Sequence, residues 1–254
     1  MQPRQGPLIT VLSYNIHIGV GTDEKSALQR TAAVIRSVSP DLVSLQEVDR
    51  MARRTGGVDQ AAELAKMTGL RMAFGKALDQ PGIDATGGEY GVAILTRLPI
   101  RWFRTRALPF TRGYETRIVL EAELEWSKST GEPIPLRFYA THFDNASADD
   151  RLASAKMLVE LAGVNPVIPC ILAGDLNAAP DSDPLKTLAS SWGIAGAGRE
   201  LPTFPATCPS RQIDYVLFRP NERWKVIDTR VVDEPVASDH RPILAVLELL
   251  PGRR

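Results

Sequence analysis

Apolar residues along this chain fall into short dense runs, and rare polar residues gather at the ends of those runs. LITVLSYNI (8–16), rich in β-branched and aromatic residues, reads as a strand. SALQRTAAVIRSV (26–38) sets Leu28, Ala32, Ile35 and Val38 at helical spacing and stops before Pro40. DLVSLQEV (41–48) is a short apolar strand, DQAAELAKMTG (59–69) a helix stopped by Gly69, and YGVAILTRL (90–98) a buried strand. The pattern then changes. Segments 101–108, 116–125 and 134–142 read as consecutive strands with no helix between them, and STGEP (129–133) is a turn signal. A helix is predicted over 148–162, then strands over 167–174, 213–218, 226–232 and 242–249. Helix-linked strands mixed with antiparallel runs argue against a doubly wound sheet or a TIM barrel. Two sheets face to face with helices outside fit the mixture.

The strand ends carry the chemistry. Asn15 ends the first strand, Glu47 the second, His142 a later one, and Asp175 and Asn177 the next. Asp214 opens IDYVLF, where an acid beside a Val/Leu/Phe run needs a partner. Asp239 and His240 stand side by side before the last strand. Neighbours on a strand point to opposite faces, so this pair shares a site only if a loop presents both. The three histidines, His17, His142 and His240, all lie in such segments. Of these, His17 reads most simply as a side chain packed at a strand end.

Glu, Asp and Asn are hard oxygen donors that suit magnesium or manganese rather than zinc. Magnesium takes one or two carboxylates plus substrate phosphate oxygens, which points to phosphoryl chemistry. A histidine nearby can hold water or steady the transition state, and an Asp behind it fixes its tautomer.

Charge narrows the partners. Lys+Arg and Asp+Glu are both 30 in 254 residues, so no global field favours nucleic acid or an anionic membrane. Local basic groups remain. Arg50, Arg53 and Arg54 follow the Glu47 strand and, with Gly56 and Gly57, either hold an anionic substrate or form a solvated loop. Arg97, Arg101, Arg104, Arg106, Arg112 and Arg117 form a basic rim if they line one face. LPF (108–110) and Trp102-Phe103 are the candidates for a lipid-facing hairpin, with core packing the preferred reading. The N-terminus has no apolar run long enough for a leader or a span, and Cys170 and Cys208 lack metal-type spacing. Cys170, inside VIPCILAG, is expected to be a buried thiol. One domain over 1–254, a cytoplasmic location and a monomer are expected.

Together SYNIH (13–17), LQEVD (45–49), YGVAILTR (90–97), ETR (115–117), THFDN (141–145), GDLNAAP (174–180), IDYVLF (213–218) and SDHRPI (238–243) make the chain resemble one superfamily. It is the endonuclease/exonuclease/phosphatase superfamily, which includes deoxyribonuclease I, repair nucleases, neutral sphingomyelinases and inositol polyphosphate phosphatases. The resemblance implies an α/β (α+β) four-layer sandwich: two mixed sheets face to face, helices on the outer sides. It implies a Mg²⁺ or Mn²⁺ site at Glu47, completed or supported by Asn15 and Asp239. Asp175 and Asn177 would position the attacking water and bind phosphate oxygens, or a second metal. His240 would be the catalytic histidine and Asp214 its orienting carboxylate. His142 matches the second histidine of the deoxyribonuclease I and sphingomyelinase branches, where the repair nucleases carry Asn. Arg117 matches a supporting arginine and Tyr90, at looser spacing, a substrate-binding tyrosine; Arg54 joins them as a candidate anion holder. The implied activity is metal-dependent hydrolysis of a phosphoester, as a phosphodiesterase or phosphatase. The alternatives are a DNA or RNA nuclease and, behind it, an inactive binding module. The substrate would be a small phosphoester, a lipid headgroup or nucleic acid.

Overall fold

The computed structural model describes residues 6–127, 133–163 and 167–251. The turn signal at 129–133 lies outside them except for Pro133. In chain order the elements are β1 (Leu8–Asn15), α1 (Leu28–Val38), β2 (Leu42–Arg50), α2 (Gln60–Thr68), β3 (Arg71–Gln80) and β4 (Gly88–Thr96). Then come β5 (Ile100–Ala107), β6 (Ile118–Trp126), β7 (Ile134–His142), α3 (Ala148–Gly163) and β8 (Cys170–Asp175). The chain finishes with α4 (Asp183–Ala189), β9 (Gly193–Ile194), β10 (Asp214–Arg219), β11 (Trp224–Val231) and β12 (Ile243–Leu249).

Two six-stranded sheets result, in the orders β11-β12-β1-β2-β4-β3 and β5-β6-β7-β8-β10-β9. Alternation along the strands builds the layers. Val11, Ile94, Leu120, Phe138, Ile171 and Val216 meet between the sheets, all at most 3% exposed. Each such side chain contributes about 1.5–3 kcal/mol relative to exposure. The other face of the first sheet, with Leu12, Val43 and Leu95, packs on Ala32 and Ile35 of α1 and Leu64 of α2. The second sheet's outer face, with Tyr139, Leu172 and Tyr215, packs on α3 and α4 through Leu158 and Leu188. This is the expected four-layer sandwich of mixed sheets.

Local chemistry explains the helix ends. Asp59 caps α2 by accepting the Ala62 N–H at 3.0 Å, and Gly69 closes it in the left-handed region. Ser39 closes α1 in the same conformation ahead of Pro40. Three elements carry no readable pattern: β3, α4 and β9. In β3 a bulge between Lys76 and Leu78 breaks the alternation. Gly75 is there because the facing sheet packs close over it: a Cβ at that position would stand 2.8 Å from Ile118 Cδ1 and 3.1 Å from Thr105 Oγ1. The other two have only seven and two residues.

Several local expectations change. Arg101 pairs with Glu123 and Glu125, and Arg104 and Arg106 pair with Glu121, so these arginines form a neutralised strand face rather than a basic rim. Arg97 donates to the Pro40 carbonyl, Arg53 to that of Gly82, and Arg50 pairs with Glu89. Leu108 is core as expected, but Phe103 and Phe110 are about half exposed, at 52% and 49%. β5 is an edge strand, so Phe103 lacks a covering neighbour. Trp102 is held between Arg104 and Arg137. Cys170 is buried as expected, Cys208 is exposed, and both are free thiols. No helix among the described residues is long and apolar enough to cross a membrane.

Candidate active site

Strand direction assembles the site. β1 with β2, and β7 with β8, are parallel pairs, so their carboxyl ends lie together. The registers place His142 opposite Asp175, and Asp175 opposite Asp214 at the start of antiparallel β10. Three polar side chains thus stand in a row at one sheet end. The loop before β12 is tied to β1 by Ser238, whose hydroxyl donates to the Asn15 carbonyl at 2.7 Å. That tie delivers His240 to the row.

His240 Nδ1 donates to Asp214 Oδ2 at 2.9 Å, and its Nε2 lies 3.7 Å from Asp175 Oδ2. Burial by itself depresses the histidine's pKa. The charge and hydrogen bond of Asp214, with Asp175 and Asp239 behind, outweigh it and push the pKa up to about 10. His240 is therefore an imidazolium at neutral pH. Asp214 is steadied by Thr203, whose hydroxyl donates to the same oxygen at 2.6 Å. The Phe204 ring packs 4.8 Å from the imidazole, and Arg211 stacks on Phe204 at 4.6 Å.

His142 is the reverse case. Burial, then Arg117 and His240, hold its pKa well below the ordinary value. Arg117 Nη1 lies 3.0 Å from its Nδ1. A guanidinium only donates, so Nδ1 is the acceptor and the ring proton sits on Nε2. That nitrogen is 3.4 Å from Asp175 Oδ2. Asp175, 1% exposed, accepts from the Asn177 backbone N–H at 2.9 Å and the Asn15 amide at 3.1 Å. Burial first, then Asp214, raise its pKa. The Asn177 amide donates to the Phe143 carbonyl at 3.1 Å; its nitrogen also lies 3.2 Å from His142 Nε2, whose proton faces Asp175 instead.

Glu47 sits in a bulge of β2 with φ 57°. Asn15 bridges, its amide donating to Glu47 Oε1 at 3.0 Å as well as to Asp175. The Asn15 oxygen accepts the His17 backbone N–H at 3.1 Å. Asn15 therefore orients the two carboxylates and turns its donor, not its oxygen, towards them. Arg54 grips buried Asp49 at 2.8 and 2.7 Å and lies 5.2 Å over the Tyr90 ring. Burial, reinforced by Glu47, holds the Tyr90 phenol well above its usual range.

A cleft of 340 Å³ is lined by Glu47, Arg117, His142, Asp175, Asn177, Asp239 and His240, with Asn145, Phe204, Arg211 and Ile213. Beside it a second lobe of 240 Å³ shares Glu47, Arg117 and Asn145 and reaches Arg54 and Tyr90. All the named candidates except Asn15 and Asp214 line these lobes; those two brace the lining from behind. Non-glycine residues with left-handed φ concentrate here: His17, Ile18, Glu47 and Asn177, four of the seven among the described residues. Each costs about 1–3 kcal/mol, and such strain gathers at functional sites. Thr203, Phe204 and Arg211 were missed. Their segment, LPTFPATCPSR, has no periodicity, and only its proximity to His240 gives it meaning.

Two donor sets bear on a cation. Glu47 and Asp239 are half-buried carboxylates facing the cleft, hard oxygen donors of the kind magnesium takes one or two at a time. A different trio, Asp175, Asp214 and His240, offers ligand atoms within 4.8 Å of one another. In that trio Asp214 Oδ2 already accepts from both His240 and Thr203, so its ligand oxygen is spent, which leaves the Glu47 side as the better fit.

Residues 12–240 match the model of the endonuclease/exonuclease/phosphatase family. No curated protein sequence matches the chain. Among solved structures, an endonuclease/exonuclease/phosphatase from Beutenbergia cavernae is 25% identical, with TM-score 0.77, over 97% of this chain and 72% of its own. A family protein from Bacteroides thetaiotaomicron is 20% identical, TM-score 0.77, over 96% and 99%. A mannosyl-6-phosphatase from the same organism is 19% identical, TM-score 0.75, over 94% and 99%. The sheets, the row of strand-end acids and histidines and the match over nearly the whole length agree: this chain belongs to the endonuclease/exonuclease/phosphatase family and is a phosphoric ester hydrolase.

Proposed function

We propose that the protein cleaves a small phosphoester by one-step attack of water, supported by Mg²⁺ or Mn²⁺. The observation that carries this reading is the meeting of two differently charged histidines on one carboxylate, Asp175, beside the separate acids Glu47 and Asp239. His240, an imidazolium backed by Asp214, donates from Nε2 to a non-bridging phosphate oxygen and stabilises the charge that builds there. Asp175, its proton affinity raised by burial, holds the water and takes its proton. Neutral His142 and the Asn177 backbone N–H steady that carboxylate, and the Asn177 side chain in the cleft lining faces the phosphate. Arg117 keeps His142 in its tautomer. Glu47 and Asp239 would hold the cation, oriented by Asn15; when bound, it neutralises phosphate charge and stabilises the leaving oxygen. No serine or cysteine is among the residues lining the cleft, and His142 and His240 are each held through Nδ1 and turned on Asp175, an arrangement that serves attack by water.

The mannosyl-6-phosphatase neighbour and the neutralised Arg101–Arg106 face support a small ester over nucleic acid. The test is hydrolysis of p-nitrophenyl phosphate, bis(p-nitrophenyl) phosphate and supercoiled plasmid with Mg²⁺, Mn²⁺ or EDTA. Turnover of the small esters that needs metal and disappears in His240→Ala is expected. Plasmid nicking that outpaces it would move the reading to a nuclease, and inactivity on all three would sink it.

A further inference from the structure

Resting on the phosphoester reading, we propose that the substrate is the phosphate monoester of a compact, hydroxyl-rich alcohol, a sugar or polyol, whose leaving group occupies the second lobe. The two lobes meet at Glu47, Arg117 and Asn145. Asp175, Asn177, His142 and His240 line only the first. In-line attack places the leaving oxygen opposite the water. With the water at Asp175, the leaving group departs past Glu47 into the second lobe.

The lining of that lobe selects its occupant. Gln80 and Asn145 offer amide donors and acceptors, and Glu115 accepts. Arg54 spends Nε and Nη2 on Asp49, which leaves Nη1 to donate. His17 Nδ1 donates to the Val20 carbonyl at 3.2 Å, which leaves Nε2 as the ring nitrogen for a ligand hydroxyl. A hydroxyl both donates and accepts, and a ring of them fits this mixed set. An alkyl chain would leave these groups unpaired, with Ile18 the one aliphatic side chain there. A nucleobase would need an aromatic face, and Arg54 already covers that of Tyr90 at 5.2 Å. A second phosphate would need surplus cation, but Asp49 neutralises Arg54 and Glu115 pairs with Arg117 at 2.9 Å. At 240 Å³ the lobe is small, which suits a compact leaving group.

The reaction balances simply. The water oxygen bonds to phosphorus. The bond from phosphorus to the sugar oxygen breaks, its electron pair leaves on that oxygen, and a proton from the water ends there. Free polyol and inorganic phosphate result.

The experiment compares a hexose 6-phosphate with n-hexyl phosphate, both esters of primary alcohols, and with a nucleoside 5′-monophosphate. p-Nitrophenyl phosphate reports on the parent reading. With Mg²⁺, kcat/KM for the hexose phosphate is expected to exceed the other two by about tenfold or more, since unpaired polar groups penalise the wrong ligand. Gln80→Leu is expected to narrow that gap. Titration calorimetry of hexose 6-phosphate against hexyl phosphate gives the same ordering without turnover. Equal or better handling of hexyl phosphate or the nucleotide, or a gap that Gln80→Leu leaves untouched, overturns the proposal. Absence of all hydrolysis, p-nitrophenyl phosphate included, overturns the parent reading. The calorimetry then still judges the lobe: preference for the sugar phosphate upholds it, and equal binding sinks it.

Discussion

His142 and His240 flank the same oxygen of Asp175, at 3.4 and 3.7 Å, yet they hold opposite charge states. Both are buried, and burial favours the neutral ring in each. What differs is the partner at Nδ1: a guanidinium for His142, a carboxylate for His240. Register brought His142 to Asp175 and the Ser238 tie brought His240; at His142 burial leads and the guanidinium reinforces it, whereas at His240 the carboxylate on the far side overturns it. A site built this way holds a fixed positive donor and a neutral one within reach of the same phosphate.

The largest effect expected breaks the comparison at its charged end. His240→Ala, or Glu47→Gln on the cation side, should lower kcat/KM by about 10³-fold, the scale of a lost transition-state donor or metal clamp. If His142→Ala cost as much as His240→Ala, the two rings would not have the separate roles assigned to them. Next, Asp214→Asn should cost about 10²-fold, because a buried His240 without its carboxylate loses its proton. NMR titration of the His240 ring should show its pKa falling from about 10 to below the ordinary value. A ring that stays protonated would show that Asp214 is not the cause.

A smaller effect tests the neutral ring. Arg117→Met should cost about tenfold and let the His142 pKa rise, though burial keeps it below an exposed histidine. The sign of a stability effect follows from His240. Its folded pKa, about 10, lies above the ordinary 6.5, so its contribution is fully present below 6.5 and is lost as pH rises towards 10. Urea unfolding in EDTA should show wild type weakening over that window, and Asp214→Asn lacking that fall. The smallest effect on activity is expected at Thr203, where Thr203→Val removes the 2.6 Å bond to Asp214. About 1.5–3 kcal/mol of stability should be lost, with a modest drop in His240 pKa.

Much of this was legible in the chain. Strands such as LITVLSYN and helices such as α1 announce themselves because burial imposes period on side chains. The strand-end position of Asn15, Glu47, His142, Asp175, Asp214 and His240 was visible for the same reason: a polar residue closing an apolar run stands out. β3 was not legible, since its bulge and Gly75 interrupt the alternation. The arginines of β5 misled because a run of like charges does not show that Glu121, Glu123 and Glu125 lie across from it.

The order of apolar runs and the identity of the polar groups at their ends were set by the sequence alone, and with them the layers of the sandwich and the inventory of the site. Tertiary structure alone decided the rest. It put Arg117 behind His142 and Asp214 behind His240, 25 and 26 residues away along the chain. It turned the Asn15 amide towards two carboxylates, brought the patternless Thr203–Phe204 segment against the dyad, and divided the cleft at Glu47. The reason is physical. Hydrophobic burial is periodic along the chain and can be read locally, whereas proton affinity and hydrogen-bond direction depend on neighbours that only the folded register supplies.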